Sequence, residues 1–178
     1  MNIKFLSLSL VILIMVISCN QNVDQATQTG KPLPQVPGLP QADSDNGGID
    51  LPTGFGAVVV VDTLGRMRHI VATENGDLYV KNWRGGIWGL RDTDQDGKAD
   101  KKDEFGKDIV GTGMALYKNH LYVSSKMEVF RYALNNSDLL PPSPPELMIS
   151  GFPKQGQHAA KTMTFDQHGN IYVNVGAP

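Results

Sequence analysis

Cysteine is nearly missing from this chain of 178 residues: Cys19 is the only one, so no internal disulfide can form. An excess of charge is missing too. Sixteen basic residues face 18 acidic ones, for a formal net charge of −2, and no basic patch stands out, which argues against a nucleic-acid partner. The nucleophile elbow Gly-x-Ser-x-Gly, the Walker loop and the dinucleotide glycine fingerprint do not occur, which removes the chemistries those motifs carry. The four histidines, His69, His120, His158 and His168, show no metal-ligand spacing. Helical periodicity is scarce beyond the first 18 residues.

What is present begins with three zones at the N-terminus. Asn2, Ile3 and Lys4 give a short positive start, Phe5 to Ile17 form an almost unbroken apolar run, and Ser18 and Cys19 close it with small residues. That is the layout of a secretory signal peptide over residues 1–18, with an apolar run short for a membrane span. Val16-Ile17-Ser18-Cys19 resembles the lipobox of bacterial lipoproteins. The resemblance implies lipidation of Cys19 and an exported protein held to a membrane, facing the periplasm or cell surface. An ordinary signal peptide that happens to contain a cysteine is the alternative. Residues 19–50 then read as a spacer: rich in Gln, Pro, Gly, Ser and Asp, punctuated by Pro32, Pro34, Pro37 and Pro40, and without apolar runs able to form a core. Residues 51–178 remain as the folded region.

A single pattern recurs across residues 51–178. Asn75-Gly76-Asp77-Leu78-Tyr79-Val80, Lys118-Asn119-His120-Leu121-Tyr122-Val123 and His168-Gly169-Asn170-Ile171-Tyr172-Val173 each place a turn before an aliphatic residue, Tyr and Val. Leu78, Leu121 and Ile171 lie 43 and 50 residues apart, the period of propeller blades. The turn pairs and the β-branched and aromatic residues after them suit hairpins. Further strands are predicted before the turns, at Arg68–Thr73, Gly113–Tyr117 and Thr162–Phe165, and after them, at Gly86–Arg91 and Glu128–Ala133. The fold class is all-β: about the first three blades of a β-propeller, with a small open sheet or partial barrel as the alternative. Because a propeller needs more blades to close, the expectation is a fragment of a longer protein, inactive by itself.

The most specific local motif is Gly156-Gln157-His158-Ala159-Ala160-Lys161-Thr162, followed by Met163-Thr164-Phe165-Asp166-Gln167-His168-Gly169-Asn170-Ile171-Tyr172-Val173. Here the chain resembles the glucose/sorbosone dehydrogenase family, in particular its sorbosone-dehydrogenase-like branch. The resemblance implies oxidation of a sugar hydroxyl or hydrated aldehyde with pyrroloquinoline quinone (PQQ) and calcium, and an electron acceptor that it leaves unnamed. It implies that His158 is the general base, a role suited to imidazole; a loop histidine bonded to backbone is the other reading. It places Lys161 near the quinone or its carboxylates, although the glucose-oxidising branch reads His-x-Gly-Gly-Arg there, and a solvated lysine is the alternative. In Gly111-Thr112-Gly113-Met114-Ala115-Leu116 it puts Thr112 where the family has a cofactor-contacting Gln, against a simple packing role for the glycines.

Asp92-Thr93-Asp94-Gln95-Asp96-Gly97-Lys98-Ala99-Asp100 stands apart. Oxygen ligands at alternating positions before a glycine are the pattern of EF-hand-like calcium loops. Asp92, Asp94 and Asp96 would offer carboxylates, Lys98 its carbonyl, Asp100 a direct or water-bridged contact, and Asp103 the twelfth position. A solvated acidic turn is the competing reading. Trp83 and Trp88 flank Arg84-Gly85-Gly86, a sugar-facing rim or, more plainly, hairpin packing. His69, His120 and His168 fall at strand or turn positions of the repeats, which marks them as structural or surface residues. A non-catalytic surface propeller that binds glycan or protein is the rival function.

Overall fold

The computed structural model describes residues 39–155 and 160–176, all within one unit, Pro32–Pro178. Cys19, the apolar N-terminal run, most of the spacer and His158 lie outside the described residues.

Among the described residues, apart from one 3-10 turn at Asn46–Gly48, the regular structure is all β. Strands β1 (Met67–Ala72), β2 (Leu78–Asn82), β3 (Ile87–Arg91) and β4 (Lys101–Phe105) form one antiparallel sheet in chain order. Strands β5 (Met114–Tyr117), β6 (His120–Ser124), β7 (Val129–Ala133) and β8 (Glu146–Ile149) repeat that order in a second sheet. Strand β9 (Met163–Phe165) pairs with β10 (Ile171–Val173) in a third. A four-stranded meander is the unit from which propellers are built; the described residues hold two meanders and a hairpin, and no closed barrel.

The three Tyr-Val triplets fall on β2, β6 and β10, where the repeat places them. The turns before the first and third are alike. Thr73 N–H donates to Asp77 O at 2.9 Å and Gly76 N–H to Thr73 O at 3.1 Å; Asp166 N–H donates to Asn170 O and Gly169 N–H to Asp166 O, both at 3.1 Å. Gly76 and Gly169 have φ of 92° and 87°, a backbone state that glycine adopts without steric cost.

Two strands, β4 and β8, have no sequence signal. Lys101, Lys102 and Asp103 are exposed, as are Glu146, Leu147 and Met148. These are the last strands of their sheets, and a solvated outer strand carries no apolar alternation to read.

The core forms where sheets meet. Tyr79, Ile87, Ile109, Met114, Leu121, Val123 and Tyr132 are buried together between the first two sheets. Tyr122, Val129 and Met163 form a smaller cluster between the second and third. Phe105 meets the Tyr79 and Tyr132 rings edge-on, at 5.9 and 5.2 Å between centroids.

Residues 40–48, which the sequence assigns to the spacer, make definite contacts. Asp43 N–H donates to Ala57 O at 2.9 Å, Val59 N–H donates to the Asp43 carboxylate at 2.7 Å, and the Lys98 ammonium lies 3.2 Å from that carboxylate. Ala99 N–H donates to Val60 O at 2.8 Å. The segment thus runs against the Asp-rich loop.

Candidate functional site at the starts of the central strands

Strands β1, β5 and β9 are the first of their sheets, and β5 packs against both of the others. The residues leading into β5 are Gly111-Thr112-Gly113. A Cβ on Gly111 would lie 2.6 Å from Ser124 O, and one on Gly113 would collide with the carbonyl of Lys161. Both glycines therefore let backbones approach closely, which is the packing role. Between them Thr112 is half-buried, its carbonyl 3.1 Å from Nδ1 of His69.

Lys161 lies next to this segment through the contact of its backbone with Gly113. Its side chain is fully buried rather than solvated, and Nζ donates to Gln155 Oε1 at 2.7 Å. Gln155 Nε2 in turn donates to Gly176 O. Burial pushes the Lys161 ammonium down from its ordinary pKa, because a charged form is disfavoured away from water. The structure thus brings Thr112 and Lys161 onto neighbouring chain segments. His158, the base that the resemblance implies, lies outside the described residues.

Two polar residues carry more than the sequence pattern suggests. Lys81 follows Leu78-Tyr79-Val80 directly and is 0 % exposed. It donates to Ile109 O at 2.8 Å, and burial lowers its pKa to about 8. Its signal in the sequence is a lone charge inside an apolar strand. His69, which its place in the repeat marks as structural or surface, reaches the Thr112 segment with its ring nitrogen. Beside that segment, Asp108, Val110, Ser125, Lys126, Met127 and Glu128 line an open cavity of about 400 Å³.

In the Asp-rich loop, carboxylate oxygens of Asp92, Asp94 and Asp100 come within 4.8 Å of one another. Asp96 and Asp103 are not in that group. Asp103 sits in β4 opposite Gly89, and the Asp96 carboxylate accepts from Lys98 N–H at 2.7 Å. Asp92 accepts from the N–H groups of Gln95 at 2.7 Å and Gly97 at 2.8 Å. Asp100 accepts from Thr93 N–H at 2.7 Å, and this bond holds its pKa below the ordinary carboxylate value. Elsewhere, Trp83 carries the Arg84 guanidinium over its ring at 5.1 Å.

None of the curated proteins matches the chain. Among solved structures it is similar to the holo form of the pyranose dehydrogenase PQQ domain from Coprinopsis cinerea. That match has a TM-score of 0.59 and 16% identity, covering 66% of this chain and 29% of that one. It is also similar to the calcium structure of the Trichoderma reesei carbohydrate-active enzyme of family AA12, with a TM-score of 0.53, 18% identity, and coverage of 61% and 28%. The iodide structure of that family gives 0.52, 18%, 67% and 34%. At these identities the likeness is one of fold, and the chain spans about a third or less of each solved chain. The family match does not single out a sorbosone-oxidising branch. Residues 49–178 match the TrAA12-like family, and the chain belongs to that family.

Proposed function

We propose that this chain contributes to a quinone-dependent sugar dehydrogenase built on a β-propeller, exported and held to a membrane by lipid on Cys19. Membership of the TrAA12-like family carries the dehydrogenase part of this reading, which the structural neighbours, a pyranose dehydrogenase PQQ domain and AA12 enzymes, support. Export and the anchor rest on the N-terminal sequence ending at Val16-Ile17-Ser18-Cys19.

The described residues fit PQQ in donor type. Lys161 brings a buried ammonium and Thr112 a hydroxyl on adjoining segments, the pairing that an anionic planar group with several acceptor oxygens needs. Lys161 would face its carboxylates and Thr112 would donate a hydrogen bond. When bound, the quinone supplies the hydride acceptor. His158, as neutral imidazole, takes the proton of the sugar hydroxyl. The substrate class is an aldose or sugar aldehyde, with sorbosone as the finer candidate from sequence.

The test uses the full-length protein with Cys19→Ser, loaded with PQQ and calcium, and follows dye reduction with a panel of aldoses and sorbosone. Sugar-dependent reduction that drops at least about a hundredfold in His158→Ala is expected, the scale of a general base. A folded protein that reduces no dye contradicts the reading and favours the glycan- or protein-binding propeller. Radiolabelled palmitate incorporation, lost in Cys19→Ser, tests the anchor.

Calcium at Asp92, Asp94 and Asp100 is a separate proposal, in which the ion staples the loop and takes no part in the chemistry. Calorimetry should show calcium uptake lost in Asp94→Ala and only weakened in Asp96→Ala, because Asp96 is not among the three clustered carboxylates. Uptake unchanged in both variants contradicts it.

A further inference from the structure

We propose that His69 is a positioning residue of the quinone site. Its imidazole clasps the first sheet to the Gly111–Met114 segment and so sets where Thr112 stands. The role of Thr112 rests on the quinone reading above; the clasp rests on geometry alone.

Along β1, Met67, His69 and Val71 are half-buried while Arg68, Ile70 and Ala72 are exposed, so the pleat turns His69 inward. Its Nδ1 lies 3.1 Å from Thr112 O and 3.3 Å from Met114 N, 43 and 45 residues away in the chain. The β5–β6 ladder explains why Met114 is available. Ser124 N–H donates to Gly113 O at 2.9 Å, which makes Gly113 and Ser124 a bonded pair. Antiparallel pairs alternate, so Met114 and Val123 form a non-bonded pair. The Met114 N–H therefore faces away from β6, on the side where β1 lies. Met114 is 1 % exposed, so water is a poor substitute for the imidazole.

The two contacts are alternatives, because one nitrogen cannot both accept and donate. With its proton on Nε2 the ring accepts from Met114 N–H; with a proton on Nδ1 it donates to Thr112 O. The first arrangement satisfies the buried Met114 N–H and is the clasp; the other side of the segment meets the Lys161 backbone at Gly113. The Gly111–Met114 segment is thus held between β1 and the Lys161 backbone that leads into β9, with Thr112 within it. A side chain without an acceptor at the Nδ1 position frees one side.

Three variants separate a clasp from simple packing. Asn at position 69 offers an amide oxygen near the place of Nδ1, Gln reaches instead toward the place of Nε2, and Ala offers neither. In the full-length protein, exchange of the Met114 amide, measured relative to global unfolding, should quicken about tenfold in His69→Ala and His69→Gln and stay near the parent in His69→Asn. PQQ affinity from tryptophan quenching should follow the same order. Equal exchange in Asn, Gln and Ala variants overturns the clasp. Ordered exchange with equal quinone affinity in all variants overturns the positioning role. If the parent itself binds no quinone while exchange keeps its order, the quinone reading fails and takes the positioning role with it, while the clasp stands.

Discussion

The tyrosines of the three triplets occupy one sequence position and meet three fates. Tyr79 is 1 % exposed, Tyr122 8 % and Tyr172 57 %. Tyr79 packs edge-on against Phe105 and donates to Leu139 O at 3.0 Å. Tyr122 lies 4.6 Å from the Phe165 ring, between the second and third sheets. Tyr172 has a local partner, Asp166, at 3.2 Å. The triplet therefore encodes a strand after a turn, whereas burial comes from whatever sheet packs on it. Lys81, Ser124 and Asn174, the residues that follow the triplets, vary in type for the same reason: each meets a different neighbour.

The largest effect should come from the crowded interface between the first two sheets. Leu121 is fully buried there, and Leu121→Ala should cost about 4 kcal/mol through lost burial and the cavity left behind. Urea unfolding checks this, and a loss under about 1 kcal/mol would mean that this interface is not the main core.

Lys81 should give the next effect, visible as a pH dependence. Its folded pKa, about 8, lies below the ordinary 10.5, so the penalty for burying its charge is complete below pH 8 and fades as pH rises towards 10.5. Tyr79, pushed up to about 12 from 10.0 chiefly by burial, acts oppositely, its stabilisation being lost only above pH 10. Stability should thus rise between pH 8 and 10, by about 2 kcal/mol. Lys81→Met should remove most of that rise, leaving the smaller part that Lys161, also lowered by burial, contributes. An equal slope in both proteins would contradict the burial of a charged lysine.

The smallest effect sharpens the comparison itself. Tyr79→Phe removes a buried hydroxyl bonded to Leu139 O and should cost about 1 kcal/mol. In the 178-residue chain, where Tyr172 is 57 % exposed, Tyr172→Phe should change stability by less than about 0.5 kcal/mol. Equal costs, read by chemical unfolding, would show that the triplet itself sets the energy.

Much of this fold is legible in the sequence because its signals are local. Turn glycines such as Gly76 and Gly169 and the apolar residues after them announce β2, β6 and β10 and the strands paired with them. Strands β4 and β8 are not legible, since Lys101–Phe105 and Glu146–Ile149 owe their conformation to pairing with β3 and β7. The site divides the same way. Thr112 and Lys161 stand out through a motif resemblance, whereas His69 and Lys81 act across 28 to 45 residues of chain, a separation that no local pattern records. In the acidic loop the spacing indicates a run from Asp92 to Asp103, but strand pairing places Asp103 in β4.

The proposed quinone site stands on Thr112 and Lys161. Equilibrium titration of the full-length protein with PQQ and calcium, alongside Lys161→Met and Thr112→Val variants with unchanged near-ultraviolet circular dichroism, tests it most directly. Binding by the parent that weakens about tenfold or more in Lys161→Met, and less in Thr112→Val, is the expected result, since a charge-assisted bond outweighs a neutral one. A folded parent that binds no quinone, or variants that bind it as tightly as the parent, would contradict the account.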